Sequence, residues 1–134
     1  MIVSLIWAGI VIGGAWIAAP AKFTVETLDM AELLAVGRVQ FLWLGRVEIA
    51  CVVVVALGFL ASRTFSVAVA LAIAASALQH VFVLPRLGLL TEARIAGIQP
   101  DAGQHLHLVY IGLDVIKVVC LLIGAALYMR RMAE

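Results

Sequence analysis

HLHLVYIGLDVIKVVC, running from His105 to Cys120, would be an ordinary membrane span but for two residues, Asp114 and Lys117. A charged side chain near the bilayer centre costs between about 2.5 and more than 10 kcal/mol, depending on how the cost is measured, so such residues are rare and face a partner or a cavity. At roughly 100° per residue, His107, Tyr110, Asp114 and Lys117 fall within an arc of roughly 80° on a helix. One polar stripe then runs down an otherwise lipid-compatible surface. If the apolar span begins near His107, a rise of ~1.5 Å per residue puts Asp114 about 10 Å and Lys117 about 15 Å below the surface, the latter near the midplane.

The rest of the chain agrees with a membrane setting. Hydrophobic residues make up 66% of the 134 and charged residues only 13%, about half the share in soluble domains, and the mean hydropathy is +1.20. The sequence is that of an integral membrane protein. Its length suits one bundle and no second domain, and a net charge of +1 argues against nucleic acid as a partner. No cleavable signal is expected, because the first apolar stretch lacks a basic leader and simply becomes a span. Cys51 and Cys120 both lie in apolar runs at similar estimated depth. Neither has the spacing of a metal or redox motif, and each reads as a small apolar filler.

Four helices are expected, at about residues 2–19, 30–61, 65–86 and 104–131, with no strands and with both termini on one side. Helix one carries Gly9 and Gly13 in GxxxG spacing, a face flat enough for close approach to a neighbouring helix or a second subunit. Trp16 and Pro20 are expected to close it at the interface. A polar stretch follows, in which Asp29-x-x-Glu32 has the form of a capping box opening helix two.

Helix two contains Arg46 and Glu48. Two residues apart, they point about 200° away from each other, so they cannot both face one site directly. Glu48 shares its face with Leu44 and Cys51, and Arg46 shares its face with Trp43 and Ile49. Arg46 can snorkel or reach around, whereas a short carboxylate roughly 14 Å deep has no such escape. Glu48 is therefore the stronger site candidate.

Ser62-Arg63-Thr64 reads as a turn into helix three, whose alanines (Ala68, Ala70, Ala72, Ala74, Ala75, Ala77) signal close packing in lipid. Pro85 cannot bond back to the carbonyl of Val81 and is expected to kink that helix beside Gln79 and His80. A loop is expected from Leu87 to Gln104, with Asp101-x-x-Gln104 capping helix four.

Four spans place the loops after helices one and three on the same side, and Glu48, Arg46, His80, Asp114, Lys117, His105 and His107 all approach from it. Lys and Arg number five there (Lys22, Arg38, Arg46, Arg86, Arg94) against three at the other end (Arg63, Arg130, Arg131). Arg46 among the five is a candidate site residue rather than a flanking charge, and the Arg130-Arg131 pair favours cytoplasmic termini.

Gly13-Gly14-Ala15-Trp16 with a following Ala19-Pro20 and Phe23, Gly37-Arg38 with Arg46 entering helix two, Leu84-Pro85-Arg86, and His105-x-His107-x-x-Tyr110 together resemble the transmembrane-protein-205-like group of small four-helix proteins. The resemblance covers nearly the whole chain and implies the four-helix fold. It implies no chemistry, since none is established for the group, and Asp114 and Lys117 stand where apolar or amide residues are expected.

Two functional classes follow from the charged residues. In the first, the protein is a membrane-embedded enzyme acting on a lipophilic small molecule from the bilayer. Glu48 and Asp114 serve as general acid and base, Lys117 and Arg46 stabilise developing negative charge, His80 assists, and Tyr110, His107, Trp43 and Gln79 contact substrate. In the second, the same groups form a proton- or ion-coupled relay in a small oligomeric transporter. A third option is a b-type haem held by His80 with His105 or His107; otherwise no cofactor or metal is expected. A plainer account makes Asp114 and Lys117 an ion pair that only lets helix four pack, His80 a hydrogen-bonded interior residue, and Tyr110 and the tryptophans interface residues. The small-residue faces predict a homodimer or homotrimer.

Overall fold

The computed structural model describes residues 1–62, 66–98 and 103–133. Among them are four helices long and apolar enough to cross a membrane, and no strand. Helix one is Ile2–Thr24, helix two Met30–Ser62, helix three Val67–Ile95 and helix four Gly103–Ala133. An even number of spans returns the chain to the end where it began. The bundle is apolar on the outside as well: Leu60, Val67, Leu71, Phe82 and Leu122 are all exposed, as a lipid-facing surface requires.

Helix two starts where the capping box placed it. Glu32 N–H donates to Asp29 Oδ1 at 2.8 Å and Asp29 N–H to Glu32 Oε2 at 2.9 Å, which satisfies two backbone donors that a helix start leaves open. The turn expected at Ser62-Arg63-Thr64 and the cap expected at Asp101-x-x-Gln104 lie outside the described residues.

Helices one and three run further than expected, and for one reason. Each contains a π-helical segment just before its proline, Ile12–Ala18 before Pro20 and Gln79–Val83 before Pro85. There Ala19 N–H bonds to the carbonyl of Gly14 and Leu84 N–H to that of Gln79, five residues back, and each proline falls in the first turn of the next α segment, where a missing N–H is tolerated. Helix one therefore ends at Thr24 rather than near Pro20. Helix three continues to Ile95, so the first half of the loop expected from Leu87 to Gln104 is helical.

The close approaches inside the bundle are also not those of the GxxxG spacing. A Cβ at Gly9 or Gly13 would meet nothing within 4 Å, whereas one at Gly14 would come 2.8 Å from Leu44 and one at Gly124 2.5 Å from Val69. Two of the six helix-three alanines do pack inward, Ala72 and Ala75, while Ala74 and Ala77 are exposed.

Three layers succeed one another along the bundle axis. Nearest the termini, Trp7, Val11, Cys51, Val55, Val69, Ala72, Val118 and Leu121 form the apolar core. Above it lies a charged layer of Glu48, Asp114 and Lys117. Beyond that, toward the connections after helices one and three, a cleft of about 1070 Å³ opens among all four helices.

Candidate functional site: a buried charge cluster under an apolar cleft

The stripe on helix four turns inward. Tyr110, Asp114 and Lys117, spaced as successive turns of one face, are 5%, 1% and 0% exposed. Lys117 Nζ lies 3.0 Å from Asp114 Oδ1 and 2.5 Å from Glu48 Oε2. The same Glu48 oxygen also receives Trp7 Nε1 at 3.3 Å and Ser76 Oγ at 3.4 Å. Glu48, itself 1% exposed, thus gathers a donor from each of the other three helices. Removing two ions from water is repaid only with such geometry and extra hydrogen bonds.

Gln79 holds the same Asp114 oxygen: its Nε2 donates to Asp114 Oδ1 and to the Tyr110 carbonyl, both at 2.9 Å. Gln79 sits in the π segment of helix three, whose wider turn carries it into the bundle. Among the described residues, two buried acceptors have no hydrogen-bond partner: Asp114 Oδ2 and Gln79 Oε1. A buried acceptor left alone costs about 1–3 kcal/mol, more when it is charged, so these atoms are prepared for a donor. Asp114 lines the cleft, whereas Glu48 and Lys117 do not.

His80 lies in the cleft wall. Its Nδ1 is 2.8 Å from the Ser76 carbonyl and its Nε2 3.2 Å from the Gly45 carbonyl; a neutral ring can donate to only one of them. Gly45 permits this approach, since a Cβ there would stand 3.0 Å from Nε2. With both nitrogens turned to backbone carbonyls, His80 does not present a free axial ligand for haem. His105 and His107 are exposed near the start of helix four, and only His107 borders the cleft. Among the described residues no three His, Cys, Asp or Glu side chains are grouped to hold a metal ion.

Other candidates fall elsewhere. Arg46 does not reach the charge cluster. Its guanidinium stacks 4.8 Å from the Trp43 ring centroid on the exposed side of helix two, at the cleft edge, and Trp43 is 58% exposed and outside the cleft. The 200° separation of Arg46 from Glu48 is realised as an inside and an outside residue. Tyr110 is no interface residue: it is buried, lines the cleft, and meets Phe41 edge-on at 5.5 Å between ring centroids. Nor is Trp7, which is fully buried. Its role as a Glu48 donor was missed, although Ser4, Trp7, Ala8 and Val11 share one helical face and all four are buried. Ser76 was missed too. Cys51 is in the apolar core with Cys120 packed against it, and both are free thiols.

No protein-family model, curated protein or solved structure matches this chain.

Proposed function

We propose that the protein is a membrane-embedded enzyme that moves a proton to or from a lipophilic small molecule admitted to the cleft from the bilayer. The observation that carries this reading is Asp114 Oδ2, a buried carboxylate oxygen with no partner among the described residues, on a residue lining an otherwise largely apolar cavity. Asp114 is the acid/base group in this account. With Asp114 ionised, two carboxylates face one ammonium; with a proton on Oδ2, Glu48 and Lys117 balance. One proton can therefore be held or released without moving any helix.

Lys117 and Glu48 act through Asp114. Lys117 fixes Oδ1 and leaves Oδ2 to the ligand, and Glu48 keeps Lys117 in place, a positioning role rather than the direct acid/base role expected from sequence. His80 and Tyr110 border the ligand, and Arg46 and His107 stand at the cleft edge. A proton- or ion-coupled transporter is the second reading. It needs a route past the charged layer, and there Trp7, Ala72 and Leu121, all fully buried, close the terminal side.

The reading includes a homodimer or homotrimer joined through the open Gly9 and Gly13 face, and termini in the cytoplasm, where Arg130 and Arg131 are exposed. Membership of the transmembrane-protein-205-like group is proposed for the fold alone. The function is tested by incubating purified protein with a membrane lipid extract in heavy water, followed by untargeted mass spectrometry. At least one lipophilic compound should gain carbon-bound deuterium or change mass with the wild type and remain unaltered with Asp114→Asn. A wild type that alters nothing, or a variant that alters the same compound equally fast, contradicts the reading.

A further inference from the structure

The cleft is electrically lopsided. Among the described residues its cationic lining is Lys22, Arg38, Arg46 and Arg94, and its only carboxylate is Asp114 on the inner side. Arg38 is neutralised by Glu92 at 2.8 Å. Lys22, Arg46 and Arg94 have no carboxylate partner among the described residues.

Lys22 is the most telling of the three. Its ammonium turns into the cleft over the rings of Phe23 and Phe41, 5.1 and 5.6 Å from their centroids, and lies against Gly37, where any Cβ would overlap it. A lysine near a helix end ordinarily extends its flexible stem toward water and headgroups. This one is half-buried against a glycine that makes room for it. Arg94 stands at the same end of the bundle, one residue before the end of helix three.

We infer that the cleft takes an anionic amphiphile, a phosphate or carboxylate headgroup on an apolar tail, with the headgroup held by Lys22 and Arg94 and the tail along Phe41, Leu84 and Ile111. Charge fixes the direction. An anionic head placed inward would meet the Asp114 carboxylate, whereas at the rim it meets two unpaired cations that can donate charge-assisted hydrogen bonds. Helix four rises about 10 Å from His107 to Asp114, so the group that meets Asp114 belongs to the tail, well away from the head. This inference rests on the proposed enzyme reading for what happens at Asp114, but not for binding.

Binding is read without turnover, so the two fail separately. Native mass spectrometry of the purified protein in neutral maltoside detergent should show dodecyl phosphate bound at least tenfold more tightly than dodecylphosphocholine or dodecyltrimethylammonium. Lys22→Gln with Arg94→Gln should abolish that preference. Arg86→Gln, an exposed cation on helix three outside the cleft, should leave it intact and so separates a built site from general snorkelling. Millimolar inorganic phosphate should not displace the amphiphile. Equal binding of the three detergents by the wild type overturns the inference even if the double variant does not fold. So does an undiminished preference in the double variant, or displacement by inorganic phosphate, which would assign the site to a soluble anion.

Discussion

Lys117 reaches from helix four to Glu48 on helix two, 69 residues away in sequence, and closes a 2.5 Å contact in which neither side chain is exposed to any useful degree. Because Lys117 also holds Asp114, removing it strands two carboxylates at once. Lys117→Met should lower stability in detergent by about 3–5 kcal/mol, the cost of leaving buried charge unpaired. Adding Glu48→Gln and Asp114→Asn to the same chain should recover most of the loss, since neutral groups of the same shape carry no ionic desolvation cost. Thermal unfolding of the single and triple variants checks both. Asp114→Leu with Lys117→Met should not be stabilising, because it leaves Glu48 with only Trp7 and Ser76.

Trp7 gives the second prediction. Trp7→Phe keeps most of the buried volume but removes a donor to a charged oxygen, and hydrogen bonds of that kind contribute about 1.5–3 kcal/mol. Stability should fall by about that amount while ligand binding in the cleft is unchanged. A loss below about 0.5 kcal/mol would mean that the 3.3 Å contact contributes nothing.

Gly45 gives the third. A methyl group there pushes on the His80 ring at 3.0 Å, while one at Gly9 meets open space. Gly45→Ala should alter the imidazole resonances of His80 and slow the lipid reaction. Gly9→Ala should do neither in the single chain and should favour the helix by up to about 1 kcal/mol.

Assembly is tested on the same face of helix one. Mass measurement in mild detergent should give a dimer or trimer, and Gly13→Leu should shift it toward monomer because the bulk blocks close helix approach. A wild-type monomer that Gly13→Leu does not change contradicts the oligomer.

Much of this was legible in local spacing. The 3.6-residue period placed Tyr110, Asp114 and Lys117 on one face, hydropathy marked four spans, and Asp29-x-x-Glu32 marked the start of helix two. What spacing could not show was how the prolines would be absorbed. A π segment lets a helix pass a proline, so the chain from Leu87 to Ile95, with its Gly88 and its charges, looked like a loop and is helix. The partners of Glu48 were hidden for another reason. Trp7, Ser76 and Lys117 meet it only once all four helices have packed, and nothing local to Glu48 points to them.

The central claim is that Asp114, and not Glu48, is the carboxyl group lining the apolar cleft. Dicyclohexylcarbodiimide, a lipophilic reagent that attacks protonated carboxyl groups, tests it without knowledge of the substrate. Peptide mapping of the treated protein should place one adduct on Asp114, none on Glu48, and should lose the adduct in Asp114→Asn. Modification of Glu48 with Asp114 untouched would contradict the account.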